Sequence, residues 1–273
     1  MWASNQQPDS TLAIANARGD DRIVKFSEIK VSCSSCSLSE LCLPRGLNPD
    51  ELDELDHAIE HKHQCDRDDY LYRAGEPLKA IYAIRSGSFK ATALTSEGAE
   101  QVVGFYLPGE LLGLDAFADQ EHTCNVIALE SSSVCELPFP EFELLCGRLS
   151  GLRRQLMHLV GREISTGHHS LLALGQMSAE ERLATFLMSL SKRFAARGFS
   201  ATEFNLSMPR HDLANYLGIA VETVSRLFTR LQDDGLISVN RRFVSILDVE
   251  KLSQLAHERC VAPPSAGEHS STA

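Results

Sequence analysis

The sequence predicts an α+β chain with an N-terminal antiparallel β-roll, a long helix suited to dimerisation and a C-terminal winged helix-turn-helix. Three observations predict it. From Asp69 to about Pro138, short β-prone runs are punctuated by Gly75, Gly87, Gly98, Gly104, Gly109 and Gly113, a turn signal roughly every ten residues. From Pro140 the period becomes helical, and Val160, Ile164, Gly167, Leu171 and Leu174 step by 4, 3, 4 and 3. Between Arg210 and Leu231 two helical patterns flank Gly218, with the small Ala214 where the helices would cross.

Taken in order, residues 1–30 are polar and read as a flexible arm. Residues 31–150 hold a cysteine-rich segment and the roll, with a helix opening at Asn48-Pro49 between them, capped by the asparagine and started by the proline. Residues 151–176 form the long helix, which Leu152, Leu156 and Leu159 extend upstream as an apolar stripe. Such a stripe also suits a helix packed on its own domain. Its length and its place between two domains favour a dimer seam built from Leu156, Val160, Ile164, Gly167, Leu171 and Leu174. Residues 177–250 hold a helix from about Ser178 to Arg197, stopped by Gly198, and then the helix-turn-helix with flanking strands at Phe204-Asn-Leu and Arg242-Phe-Val-Ser-Ile-Leu. Residues 251–273 are the end of a helix and a disordered tail.

Bulk properties exclude several classes. Of the 273 residues, 43% are hydrophobic, enough for one or two globular domains. No apolar run approaches membrane-spanning length, and the N-terminus lacks the apolar stretch of a signal peptide, so a cytoplasmic chain with no membrane association is expected. The net charge of −11 is unevenly spread. Residues 1–150 carry 12 Lys and Arg against 25 Asp and Glu, whereas residues 151–273 carry 14 against 12. Only the C-terminal part can approach a polyanion without strong repulsion. There is no phosphate loop, nucleophile–base constellation, paired carboxylate or zincin spacing, so an enzyme is not expected.

The helix-turn-helix carries a reading face for double-stranded DNA. At about 100° per residue, with Glu222 at zero, Ser225 falls near −60° and Arg226 near +40°, while the apolar stripe of Val224, Leu227, Phe228 and Leu231 centres near 190°. Arg226 can bond guanine O6 and N7, Glu222 can accept from a cytosine amine, and Ser225 can meet a base edge or a phosphate. Arg210, Arg230, Arg241 and Arg242 are candidate phosphate contacts. Cys33-x2-Cys36-x5-Cys42 packs three thiols into ten residues of a chain with eight cysteines. Reduced thiols at this spacing suit an iron–sulfur cluster or a zinc ion, or act as redox thiols; the first two require a further ligand.

Three features together, the cysteine run, the Gly109-Glu-Leu-Leu-Gly-Leu motif and Val221-Glu-Thr-Val-Ser-Arg, make the chain resemble the cyclic-AMP receptor protein superfamily over about residues 31–257. Within it, the chain resembles the oxygen-sensing fumarate and nitrate reduction regulators. The resemblance implies a homodimer, active with an intact [4Fe–4S] cluster, that controls anaerobic-metabolism genes mainly as an activator and contacts RNA polymerase. It implies Cys33, Cys36 and Cys42 as ligands, with Cys124 as the matching fourth. It also implies Glu222, Ser225 and Arg226 as readers of a palindrome resembling TTGAT-N4-ATCAA. Where nucleotide-binding relatives grip phosphate with an Arg-Ser or Arg-Thr pair, this chain has His122-Thr123, which argues against cyclic AMP. Two positions depart from the pattern: Gly167 or a nearby histidine stands where relatives often carry an acidic seam residue, and Ala220 where a hydroxyl residue often caps the reading helix.

Overall fold

The computed structural model describes residues 33–256. The arm at 1–30, the final tail and Cys260 lie outside the described residues. A short turn region from Cys33 to Leu47 leads into helix α1 (Pro49–Ala58). The Asn48 side chain accepts from the Glu51 N–H while Glu51 accepts from the Asn48 N–H, a reciprocal cap that places the helix start where the Asn-Pro pair predicts.

Eight strands follow: β1 (Glu60–Cys65), β2 (Tyr70–Tyr72), β3 (Ala80–Ser86), β4 (Phe89–Leu94), β5 (Glu100–Tyr106), β6 (Leu111–Leu112), β7 (Asn125–Ala128) and β8 (Ser132–Pro138). They form two antiparallel sheets, ordered β1-β8-β3-β6 and β2-β7-β4-β5. Five of the glycines act as expected of turn residues: Gly75, Gly87, Gly98, Gly109 and Gly113 have positive φ, whereas Gly104 lies inside β5 and makes no turn. At Gly87 the demand is absolute, because an added Cβ would fall 2.1 Å from Ser132 Oγ. Between the sheets lies a core of Tyr72, Tyr82, Ile84, Phe89, Val126 and Val134.

Helix α2 (Phe139–Arg148) closes the roll and α3 (Ser150–Gln176) runs away from it. The two halves of α3 differ. Leu152, Leu156 and Leu159 sink into a core shared with Leu43, Leu55, Ile81, Leu137 and Phe142. Leu156, only 7% exposed, is therefore corrected out of the proposed seam: it belongs to the protomer's own core. Beyond it Ile164 and Leu171 are 54% and 70% exposed, with Gly167 and Leu174 exposed beside them and Val160 half-buried. Met157, 60% exposed, takes the place of Leu156. The series 157, 160, 164, 167, 171, 174 then alternates steps of 3 and 4 without a break.

The C-terminal part contains α4 (Ala179–Ala195), β9 (Glu203–Asn205), α5 (Arg210–Leu217), α6 (Val221–Asp233), β10 (Ile237–Asn240), β11 (Phe243–Ile246) and α7 (Val249–Leu255). Strands β10-β11-β9 form the wing sheet. Strand β10 was not among the strands read from the sequence; it pairs with β11 through a tight turn in which Arg241 takes a φ of 57°. Leu183, Leu187, Leu213, Leu217, Val224, Phe228 and Leu231 build the core of this domain, which continues into Val102, Phe105 and Leu107 of the roll.

Candidate sensor pocket and DNA-reading face

The segment from Cys33 to Pro44 lies across the β3–β8 face and encloses an apolar pocket. Cys33, Cys36 and Cys42 line it, and so does Cys135 from β8, beside Ile81, Ala83 and Leu137. Two hydrogen bonds fasten the segment: the Cys33 N–H donates to Asp56 of α1 at 2.7 Å, and the Gln155 side chain donates to the Cys42 carbonyl at 3.0 Å. Gln155 is buried on the inward half of α3, so the pocket and the long helix are tied directly.

Cys124 is not part of this pocket. It is buried inside the roll in the cluster of Tyr72 and Phe89, and its thiol donates to Asp115 at 3.4 Å. This corrects the expectation that Cys124 completes the set; Cys135 lines the pocket in its stead. The physical reason is strand alternation. Cys135 and Leu137 share the face of β8 on which the cysteine segment settles, whereas Cys124 precedes β7 on the roll's inner side. Sequence reading missed Cys135 because nothing local says which face of β8 receives a segment about 90 residues upstream.

Burial holds the thiols of Cys33, Cys42 and Cys124 protonated when no metal is bound. Burial pushes Cys42 up to about 12, with its neighbours Cys135 and Cys36 adding to the shift. Burial also raises Cys33, helped by Asp56, and raises Cys124, helped by Asp115. A metal centre must offset this cost, because thiolates rather than thiols are ligands. Among the described residues no three Cys, His, Asp or Glu side chains stand close enough together to hold a single ion.

At the place where a nucleotide phosphate would be gripped, the His122 ring is buried and stacked on Tyr72 at 3.7 Å between centroids. Its Nδ1 lies 3.4 Å from Asp115, and the same carboxylate accepts from the Thr123 N–H and the Tyr72 hydroxyl. Among the described residues no guanidinium enters this network.

At the other end of the molecule, α5 stops at Gly218, whose φ of 64° makes the turn, and α6 begins at Ala220, which has extended dihedrals and no side-chain cap. Val224, Phe228 and Leu231 are buried, and Glu222, Ser225 and Arg226 are exposed on the opposite face within the first two turns. The Ser225 hydroxyl donates to the Val221 carbonyl at 3.2 Å. Arg241 and Arg242 are exposed at the wing tip. Two arginines read as phosphate contacts have partners within the chain. Arg210 lies over the Phe228 ring at 3.5 Å, and Arg230 pairs with Glu180 at 3.2 Å.

Comparison with known proteins agrees with this build. The cyclic nucleotide-binding domain family matches residues 62–148, and the Crp-like helix-turn-helix domain family matches residues 181–255. The fumarate and nitrate reduction regulatory protein of Escherichia coli K12 is 46% identical over 242 residues, 88% of this chain and 97% of that protein. This chain belongs to the fumarate and nitrate reduction branch of the CRP/FNR regulators. It is thus a DNA-binding transcription regulator of the anaerobic response. The anaerobic regulatory protein of Pasteurella multocida Pm70 is 45% identical over 86% of each chain. Among solved structures, FixK2 from Bradyrhizobium japonicum matches with a TM-score of 0.67 and 27% identity, over 75% of this regulator and 99% of that chain. No helix among the described residues is long and apolar enough to cross a membrane.

Proposed function

We propose that this regulator is a cytoplasmic homodimer and not an enzyme, that a [4Fe–4S] cluster held by Cys33, Cys36, Cys42 and Cys135 controls it, and that it reads a palindrome resembling TTGAT-N4-ATCAA. The observation that carries the sensor is the convergence of four thiols from two distant segments on one apolar pocket. A tetrahedral zinc, with sulfurs about 2.3 Å from the metal, would draw its ligands to within about 4 Å of one another. Short loop spacing of thiols without histidine suits an iron–sulfur centre at least as well as zinc. When bound, such a cluster would be held by one thiolate from each of the four cysteines and would supply an oxygen-labile iron–sulfur centre.

The chain's own residues then relay the state of the pocket. Cys42 is tied through its carbonyl to Gln155, and Leu43 packs among Leu152, Leu156 and Leu159, so the segment and the inward half of α3 form one body. The outward half of the same helix presents Met157, Ile164, Leu171 and Leu174 to a second copy. A segment that leaves the β3–β8 face would free the inner half to shift and misalign the seam. Pairing of two protomers brings two copies of Glu222, Ser225 and Arg226 to one twofold site. His122, stacked in place and without a guanidinium neighbour, supports an effector other than cyclic AMP. RNA polymerase is the partner through which the bound dimer activates.

Protein purified without oxygen should be brown, carry about four irons and four sulfides per chain and bleach in air. A colourless anaerobic product holding one tightly bound zinc would refute the reading.

A further inference from the structure

Strand β5 is the edge of its sheet, so one row of its backbone groups lacks a neighbouring strand. The row is covered by a side chain from the DNA-binding domain. Asn215 of α5 accepts from the Val102 N–H and donates to the Glu100 carbonyl at 2.8 Å, the two groups a partner strand would pair. Gln101 reaches back to donate to the Asn215 carbonyl at 2.7 Å. One turn earlier on the same face of α5, buried Asp212 pairs with Lys90 of β4 at 2.8 Å. A second anchor lies at the C-terminal end of α4 and just beyond it. Arg193 and Arg197 grip Glu110 of the roll, and both also donate to roll carbonyls, at Phe105 and Pro108. The rings of Phe105, Phe186 and Tyr216 form a mutual cluster, each pair in contact.

Two polar anchors on two different helices, with an aromatic contact between them, define an orientation and not merely an attachment. Because α6 packs directly on α5, the roll dictates where the reading face points. We infer that Asn215, with the Lys90–Asp212 pair, is a positioning element that sets the angle of each reading helix relative to its own roll, and hence the spacing of the two half-sites a dimer accepts. None of these residues needs to touch DNA for this. The inference rests on the base-reading assignment above and adds to it the determinant of half-site separation.

The test uses full-length protein prepared without oxygen and four duplexes: palindromes with three, four and five base pairs between half-sites, and a single half-site. Each added base pair moves a half-site along the axis and rotates it by about a tenth of a turn. Wild type should favour the four-pair spacer. Asn215→Ala should reduce that preference roughly tenfold while leaving half-site sequence discrimination unchanged. Lys90→Gln, on the roll side and remote from α6, should act in the same direction and guards against a folding defect in α5. Unchanged spacing preference in both variants overturns the inference. So does an equal loss on all four duplexes, which a merely structural role would give. Wild type that ignores half-site sequence refutes the base-reading assignment, and the positioning role with it; normal half-site reading with unaltered spacing in the variants refutes the positioning role alone.

Discussion

The two working ends of this molecule are built on opposite principles. The proposed reading face comes from one helix, with Glu222, Ser225 and Arg226 within five residues of one another. The proposed sensor pocket joins a short cysteine run to a cysteine on a strand about 90 residues later. A face carried by one helix is set by periodicity, so single changes there subtract a single contact. A pocket assembled from distant segments is set by packing, so one change can undo the whole. Helix α3 joins the two regimes: its first half is packed into the roll and its second half awaits a partner.

The largest effect expected from that contrast is at Cys135. Cys135→Ser should leave the anaerobically purified protein without stoichiometric iron and sulfide, whereas Cys124→Ser should keep both. Iron and sulfide assays that come out the other way round would return Cys124 to the ligand set and break the pocket assignment. Next comes α3. Leu171→Glu should turn the dimer into a monomer in sedimentation experiments, because it sets like charges at a seam position. Leu156→Ala should instead lower unfolding stability by about 2–5 kcal/mol, as expected for a core leucine. A dimer that survives Leu171→Glu would remove the outward half of α3 from the interface.

A smaller change is expected at the reading face. Arg226→Ala should weaken specific binding by about 1–3 kcal/mol per half-site and erase discrimination at the paired guanine. Binding titrations in which that discrimination persists would take Arg226 out of the reading role. The smallest effect is at Ala220, where Ala220→Ser should add about 1 kcal/mol to the stability of the C-terminal domain. The backbone there already has cap dihedrals and lacks only the oxygen. No gain in thermal stability would mean that the α6 N–H groups are adequately solvated without a cap.

How much was legible follows the same division. Register along one helix could be read from spacing, so the buried stripe of α6, the turn at Gly218 and the exposed positions 164, 167, 171 and 174 were all open to sequence reasoning. Even the Met157 error was recoverable. Stepping back three from Val160 keeps the alternation, whereas Leu156 lies four back and starts the other, inward stripe. Arg210 and Arg230 show the limit. Both lie where a phosphate contact is plausible, but one finds the Phe228 ring and the other finds Glu180, partners remote in sequence.

By itself, then, the sequence determined the order of elements, the exposure of Glu222, Ser225 and Arg226 opposite the buried stripe of α6, and the three clustered thiols. These depend on residues a few positions apart, whose relative placement the backbone geometry of a helix or turn dictates. Tertiary structure alone decided that Cys135 and not Cys124 faces the cysteine run, that Leu156 turns inward, and that Asn215 closes the edge of β5. Each of those choices depends on which surface covers which. That is settled by the burial of apolar area and the pairing of polar groups across the whole chain.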